Sequence, residues 1–264
     1  MTTSCSVPIP ARFAPLLACL FGLALMAASA GASAQVPFAP LKDGAAIPQA
    51  AIAELSAASL RDMGRAPVPQ HDSLKPVPDA PKTTGKPFVL YMGAEFCPYC
   101  AAERWPLVMA LMRFGKFTDL KATRSSSNDV DPDTATFSFI GSHYQSQWLD
   151  FQGVELSDRN QRPLEKPTPF QEQRFRKFNR PPYTQYPGSI PFVDVDDHWI
   201  QVGASVSPTL MGGKDWLEIA NQLQLGKGPL WQAVLGSADQ LTRKLCTLTQ
   251  GQPEKVCTAV KRQP

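Results

Sequence analysis

Two cysteines with two residues between them form the part of the sequence best suited to chemistry. They lie in Cys97-Pro98-Tyr99-Cys100. A cysteine thiolate is a nucleophile, and two thiols at this spacing can form and break an intramolecular disulfide during exchange with another molecule. The same spacing also occurs in inert structural disulfides and in zinc sites. We predict a redox-active disulfide, with the other two interpretations open.

A zinc site would need two further ligands that complete a tetrahedron around the metal. The sequence has no second C-x-x-C, and its histidines, His71, His143 and His198, do not lie at metal-ligand spacing. We therefore predict no metal site. We also predict no dissociable cofactor, because a Cys97–Cys100 disulfide itself carries the electrons.

The cysteines must be positioned by the elements on either side of them. The apolar run 88–92, bounded by Gly93, predicts a buried strand. Pro98 suits the first position of a helix, because no backbone N–H is needed there. We expect this helix to be kinked at Pro106 and to stop near Gly115.

A helix N-terminus stabilises an anion, which lowers the pKa of a cysteine placed there. Cys97 is therefore predicted to be the attacking thiolate, and Cys100, one turn further on, the resolving thiol. The two residues between them are expected to tune the reduction potential. The neighbours that complete the candidate site are Glu95, Phe96, Pro98 and Tyr99.

A proline-led hairpin is the second candidate element of the site. Ile190-Pro191 precedes the apolar run 192–195, Asp196-Asp197 supplies a turn, and 199–202 supplies the return strand. A proline is tolerated at the first residue of a strand because it need not donate a hydrogen bond to the ladder. An ordinary edge proline with a trans peptide bond is the alternative interpretation.

This order of strand, C-x-x-C, helix and proline-led hairpin resembles the thioredoxin superfamily, and Cys-Pro-Tyr-Cys is also the glutaredoxin tetrapeptide. More narrowly, residues 93–105 (GAEFCPYCAAERW) resemble an uncharacterised, exported thioredoxin-like family catalogued as a domain of unknown function. The resemblance spans roughly residues 84–260 and implies an α/β fold with a thioredoxin-like central sheet flanked by helices. It implies that Ile190-Pro191 is a cis-proline loop facing the disulfide and the substrate backbone, and that 214–225 is the closing helix.

Two features depart from thioredoxins. Thioredoxins carry a buried acid six residues before the first active-site cysteine, and this chain has Tyr91 there, which puts efficient disulfide reduction of the thioredoxin kind in doubt. Glu95 and Glu103 lie close in sequence, but we expect both to be solvated or helix-capping rather than buried bases. The second departure is a long insertion, residues 125–187, between the active-site helix and the proline-led hairpin.

The insertion contains two predicted elements. Apolar residues at 135, 137 and 139 alternate with polar ones and indicate a strand, and a capping box of Thr168 with Gln171 begins a helix over 168–179. Residues 145–156 show no clean periodicity and receive no assignment. We interpret the aromatic residues of the insertion as a satellite core, with a hydrophobic groove for a client or peptide as the alternative.

Residues 226–264 are predicted to form a C-terminal helical extension of two short helices. Cys246 and Cys257 are expected to join its segments by a structural disulfide, worth about 3 kcal/mol in the chain-entropy model. A second redox pair that relays electrons to Cys97 and Cys100 is the alternative interpretation.

The N-terminus has the pattern of a secretory signal peptide. Arg12 precedes the apolar stretch 13–30, and an A-x-A site ends at Ala34. We predict a signal peptide over 1–34 and an exported, periplasmic protein, with a membrane anchor as the alternative. Cleavage would leave four cysteines, an even number that fits an oxidising compartment.

Length and composition bound the class of protein. The chain has 264 residues, 43% of them hydrophobic, which is enough for a sizeable core and excludes wholesale disorder. No apolar run of about 20 residues follows the N-terminal segment, so a multi-span membrane protein is excluded. The net charge of +3 is weak and dispersed, so no nucleic-acid partner is expected.

These features predict a domain order and a function. Residues 35–83 are expected to hold a helix near 49–63 and a proline-rich linker, and residues 84–225 the thioredoxin-like domain. We predict an exported thiol–disulfide oxidoreductase acting on protein or peptide thiols. Export favours an oxidase, an isomerase, or a reductase served by a membrane electron-transfer partner. The alternative is a redox-inactive binding module that keeps the thioredoxin fold and holds a partner with the aromatic insertion.

Overall fold

The computed structural model describes residues 40–67 and 69–261, so the predicted signal peptide, 1–34, lies outside the described residues. Within them the α-helices are α1 (Gln49–Arg61), α2 (Pro98–Leu111), α3 (Pro169–Phe178), α4 (Trp216–Leu225), α5 (Pro229–Leu248) and α6 (Glu254–Val260). The strands are β1 (Lys75–Pro76), β2 (Phe88–Gly93), β3 (Lys116–Thr118), β4 (Lys121–Arg124), β5 (Ala135–Ser138), β6 (His143–Gln145), β7 (Asp150–Glu155), β8 (Phe192–Val195) and β9 (Trp199–Val202). None of the described helices is both long and apolar enough to cross a membrane.

Five strands form a mixed central sheet in the order β1-β9-β8-β2-β7. β2 runs parallel to β7 and antiparallel to β8, so that Tyr91 lies opposite Gly153 on one side and Val193 on the other. β8 and β9 form the predicted hairpin, and β1 pairs with β9 at the edge of the sheet. Helices flank this sheet, which confirms the predicted α/β class with a thioredoxin-like central sheet.

β2 is buried on both faces of the sheet. Leu90 and Met92 pack with Phe192 in one apolar cluster, whereas Val89 and Tyr91 belong to the larger core on the other face. Successive side chains of a strand point to opposite faces, so a strand covered on both sides is apolar throughout. Burial of both faces therefore explains the uninterrupted apolar run from which this strand was predicted.

The helix that carries the cysteines lies at the centre of the larger core. Every residue of α2 except Tyr99 is buried, and the helix continues through Pro106 without ending. Trp105 anchors its middle, with ring centroids 4.6 Å from Phe137 and 5.5 Å from Trp216. Two elements that are distant in sequence, β5 and α4, therefore hold the middle of α2 in place.

The predicted insertion, residues 125–187, is not separate from the central sheet. It contains β7, which pairs with β2, and α3, whose Phe175 packs edge-on against Phe192 of β8. The extra chain between α2 and β7 instead forms two small sheets, β3 with β6 and β4 with β5. The strand predicted near 135–139 is β5, and the helix predicted over 168–179 is α3 with its capping box. The unassigned residues 145–156 contain β7.

Most aromatic side chains of this segment point inward. Phe137 and Phe139 are buried, and Phe139 packs edge-on against Tyr91 and Phe151, with ring centroids 5.2 and 5.0 Å apart. Phe170 on α3 and Tyr186 beyond it are exposed exceptions, at 42% and 78%. This packing favours the core interpretation of these aromatics over a hydrophobic groove.

The two ends of the described chain also pack onto the core. β1 comes from the predicted proline-rich linker, so that segment is held on the sheet edge by its pairing with β9. α5 is one helix of 20 residues rather than the first of two short ones. A disulfide between Cys246 and Cys257 joins α5 to α6, as predicted, and both cysteines are buried.

Candidate active site

Cys97 occupies the N-cap position of α2. Its backbone is extended, Pro98 follows at the first helical position, and the Cys97 Sγ accepts a hydrogen bond from the backbone N–H of Cys100 at 3.2 Å. The first backbone N–H groups of a helix have no partner within the helix, so an acceptor at the N-cap satisfies one of them. Here the sulfur plays the part that a hydroxyl or carboxylate oxygen plays at most N-caps.

The two thiols differ in exposure and in proton affinity. Both are free cysteines; Cys97 is 7% exposed and Cys100 is fully buried. Hydrogen bonding from Cys100 lowers the pKa of Cys97, against the opposing effect of burial. Burial raises the pKa of Cys100 well above its ordinary value, and the neighbouring Cys97 adds to the rise. This asymmetry is what the predicted roles of attacking thiolate and resolving thiol require.

The proline-led hairpin faces the outer sulfur. The Ile190–Pro191 peptide bond is cis, and the Cys97 thiol lies 4.0 Å from the Ile190 carbonyl oxygen. The Pro191 carbonyl accepts a hydrogen bond from Gly203 at 2.8 Å, which ties the loop to the end of β9. The four residues predicted for the site, two cysteines and an Ile-Pro pair 90 positions downstream, are brought together.

The other predicted neighbours surround the sulfur unequally. Tyr99 is 46% exposed, Glu95 and Phe96 are half-buried, and Pro98 is buried. The exposed Tyr99 ring is therefore an aromatic surface that a molecule approaching the Cys97 sulfur can contact. Glu95 also borders a polar cleft of about 540 Å³ lined by Lys121, Ser126 and Arg159, among others.

The loop before Cys97 is held by backbone hydrogen bonds that the sequence did not indicate. The N–H of Ser126 donates to the Phe96 carbonyl at 2.8 Å, and the N–H of Glu95 donates to the Ser157 carbonyl at 2.9 Å. Both partners lie in the residues predicted as an insertion. That segment therefore helps to position the active-site loop.

A buried ion pair joins α2, one turn after Cys100, to the end of β7. Arg104 donates to both carboxylate oxygens of Glu155, from Nε at 2.9 Å and from Nη2 at 2.6 Å, and both side chains are fully buried. Burial by itself would lower the pKa of Arg104, but Glu155 outweighs it and holds that pKa well above its ordinary value. Burial raises the pKa of Glu155, and Arg104 opposes the rise. No pattern in the sequence indicated this pair, although Arg104 follows Cys100 at the helical i, i+4 spacing.

Glu103 is a correction to the sequence prediction. It was expected to be solvated or helix-capping, but it is only 4% exposed. Its Oε2 accepts hydrogen bonds from the backbone N–H of Ser205 at 2.7 Å and from the Ser205 hydroxyl at 2.8 Å. Burial raises the pKa of Glu103 to about 7, because the Ser205 hydrogen bonds compensate only in part. Glu103 thus joins α2 to the chain that follows β9.

The second cysteine pair lies far from the first. Arg113, just beyond α2, contacts Asp239 and Thr242 of α5, and Cys246 lies one further turn along α5. The 14 residues of α2 span about 20 Å at 1.5 Å per residue, with Cys97 at the opposite end. This separation favours the structural interpretation of the Cys246–Cys257 disulfide over an electron relay.

Among residues 40–67 and 69–261, no three His, Cys, Asp or Glu side chains are grouped so that they could hold a metal ion.

Residues 77–186 match a family described as a domain of unknown function (DUF929). The matched segment contains β2, the two cysteines, α2, β7 and α3, and it ends before the Ile190-Pro191 hairpin. The match supports an uncharacterised domain family. No curated protein and no solved structure gives a significant match.

Proposed function

We propose that this protein is an exported thiol–disulfide oxidoreductase of the thioredoxin-like superfamily, acting on protein or peptide thiols. One observation carries the proposal: the Cys97 sulfur caps a helix and lies 4.0 Å from the carbonyl of Ile190 in the Ile190–Pro191 loop. A sulfur so placed is more acidic than a free cysteine and has backbone beside it with which an extended client can pair. The topology of the central sheet supports the superfamily assignment.

The exchange uses the two sulfurs in sequence. In the reducing direction, the Cys97 thiolate attacks a client disulfide, forms a mixed disulfide and releases one client thiolate, which takes up a proton. Cys100 then attacks the Cys97 sulfur, so that the Cys97–Cys100 bond forms and the bond to the client breaks. The second client sulfur leaves with the electron pair and takes up the proton that Cys100 lost. Client oxidation is the same sequence in reverse.

The burial of Cys100 fits the resolving role. A fully buried thiol is out of reach of a client sulfur, so only an intramolecular partner can react with it. Its high pKa keeps it protonated, and therefore unreactive, until Cys97 has formed the mixed disulfide. This order of reactivity separates capture of the client from its release.

Export and partners belong to the same proposal. The Cys246–Cys257 disulfide fits an oxidising compartment, which agrees with the signal peptide predicted over 1–34. The disulfide of the active site would need no dissociable cofactor. Protein or peptide thiols are the proposed clients, and a membrane electron-transfer partner would renew the active-site thiols if the protein acts as a reductase.

The experiment is a redox titration of the mature chain in glutathione buffers, combined with client trapping by two variants. We expect a reduction potential between about −120 and −270 mV for the Cys97–Cys100 pair. Cys97→Ser should abolish client capture, whereas Cys100→Ser should accumulate mixed disulfides that a reductant releases. The Cys246→Ala/Cys257→Ala variant is the matched control and should keep the potential of the wild type.

Two results would overturn the proposal. A potential below about −300 mV would mark an inert structural bond, and the chain would then be a redox-inactive binding module with the same fold. Equal trapping of clients by the wild type and both active-site variants would mean that these sulfurs do not have the roles assigned to them.

A further inference from the structure

Three buried polar side chains lie together between β2, α2 and β7, and the exchange reaction described above does not use them. They are Tyr91 on β2, Arg104 on α2 and Glu155 on β7, all fully buried. Arg104 and Glu155 form the bidentate pair, and the Arg104 guanidinium lies 5.6 Å from the centroid of the Tyr91 ring. A buried charge is costly even when it is paired, so its position calls for a chemical explanation.

Two hydrogen-bond donors in this group have no partner among the described residues. They are the Tyr91 hydroxyl and the Nη1 of Arg104. A buried donor without an acceptor costs free energy, and such groups are rare in folded proteins. The Tyr91 ring lies over Gly93, where any side chain would overlap its hydroxyl. The hydroxyl therefore points along β2 toward the loop that carries the cysteines.

The spacing along α2 aims the guanidinium at the same place. Cys100 and Arg104 are four residues apart, so their side chains lie on one face of the helix. Helical side chains also lean toward the N-terminus, which directs Arg104 back toward Cys100. The positive charge of Arg104 lowers the pKa of both cysteines, in keeping with this placement.

We propose that Arg104, held by Glu155 and accompanied by the Tyr91 hydroxyl, is a positioning residue that stabilises negative charge on the active-site sulfurs, and on Cys100 above all. The inference rests on the proposed function, because the charge appears when Cys100 loses its proton to attack the mixed disulfide. Arg104 stays protonated throughout, so it is neither acid nor base in the step. The proton of Cys100 goes to the departing client sulfur, and the unpartnered donors supply the hydrogen bonds that the thiolate lacks.

The test uses the sign of the charge that is removed. Arg104→Met removes the positive charge, whereas Glu155→Gln leaves that charge without its counter-ion. The pKa of Cys97 is measured from the pH dependence of its alkylation by iodoacetamide in the reduced protein. We expect Arg104→Met to raise this pKa by about 1, as loss of a nearby opposite charge does, and Glu155→Gln to lower it. Arg104→Lys, which keeps the charge, should stay close to the wild type.

Arg113→Met is the matched control at the other end of α2. Arg113 also forms a fully buried pair, with Asp239 at 2.6 Å, so its loss should cost comparable stability without moving the pKa of Cys97. Tyr91→Phe removes one oxygen and is the variant to use if Arg104→Met does not fold; it should slow collapse of a Cys97 mixed disulfide severalfold. The charged or titratable groups that face Arg104 are Tyr91, Cys97, Cys100 and Glu155, with Glu95 beyond Glu155.

The inference and the proposed function fail in different ways. If Arg104→Met and Glu155→Gln move the pKa of Cys97 in the same direction, or if Arg104→Met moves it no more than Arg113→Met, the pair is structural and the inference is wrong. An unchanged collapse rate in Tyr91→Phe would likewise remove the role of the hydroxyl. If instead the wild-type pair does not exchange with glutathione at all, the proposed function fails, whatever the alkylation shows.

Discussion

Glu103 gives the sharpest prediction about stability. Its pKa is about 7 in the folded protein, against an ordinary value of 4.5. A carboxyl group with a raised pKa binds its proton more tightly when the chain is folded than when it is unfolded. The folded state is therefore favoured below pH 4.5, and its stability falls as the pH rises through 4.5 toward 7. We expect Glu103→Gln, which cannot ionise, to be free of this loss.

The size of the effect follows from the two pKa values. A difference of one pKa unit corresponds to about 1.4 kcal/mol, so the full difference is about 3 kcal/mol at pH 8. At pH 5 most of the folded protein already holds the proton, and the cost is below about 1 kcal/mol. The stability of Glu103→Gln relative to the wild type should therefore increase by about 2 to 3 kcal/mol between pH 5 and pH 8. Glutamine can still accept from both Ser205 donors.

Urea unfolding of both proteins at the two pH values measures this quantity. Taking the difference between variant and wild type cancels the titration of other groups, such as Asp194, whose pKa burial also raises to about 7. Glu54→Gln, at an exposed position of α1, is the control for replacing a carboxylate that is not buried. A Glu103→Gln effect that is equal at pH 5 and pH 8, or larger at pH 5, would refute the reasoning.

Two further predictions concern residues that do not take part in the exchange. Cys246→Ala/Cys257→Ala should lower the free energy of unfolding by about 3 kcal/mol, because the disulfide links residues 11 positions apart and so restricts the unfolded chain. Urea unfolding under non-reducing conditions measures this loss, and a loss within error of zero would contradict the prediction. Gly93→Ala should cost about 1–3 kcal/mol, because the new methyl group overlaps the Tyr91 ring. The control for it is Gly212→Ala, where φ is −51° and the nearest atom is 3.4 Å away, and equal losses at the two glycines would contradict the predicted overlap.

Elements with a local signal were predictable from the sequence. The apolar run at β2, the proline at the first position of α2 and the capping box of α3 each act within a few residues, and all three elements were confirmed. The cis Ile190–Pro191 loop depended on the resemblance to thioredoxins, because base rates for X-Pro bonds favour trans. Its place opposite Cys97 is a long-range fact that no local pattern carries.

β7 shows why the rest could not be predicted. Its sequence, DFQGVE, mixes polar residues with a glycine, and a strand stabilised by backbone pairing with β2 needs no apolar alternation. Gly153 is required there because Phe139, just after β5, lies directly against its backbone, and the two residues are far apart in the sequence. The glycine that made the strand hard to recognise is thus explained only by the folded core.

The buried charges were missed for a related reason. Arg104 and Glu155 are 51 positions apart, and Glu103 meets Ser205 across 102. A charged residue on a helix is normally solvated, and only tertiary partners make its burial tolerable. The sequence does show that Cys100 and Arg104 are four residues apart on one helix. Nothing in the neighbouring residues, however, distinguishes a buried Arg104 from a solvated one.

Three backbone hydrogen bonds hold the active-site loop to the residues that follow β4 and β7. Gly93, Glu95 and Phe96 each form a backbone hydrogen bond with residue 156, 157 or 126, respectively. Replacing the side chain at one of these three partner positions therefore leaves the hydrogen bond intact. The exception is proline at 126 or 156, which removes the N–H that donates. Relatives could therefore diverge freely in the identity of these anchors while keeping the sulfur in place. Changes of segment length or a proline at an anchor are the events that would dislodge it.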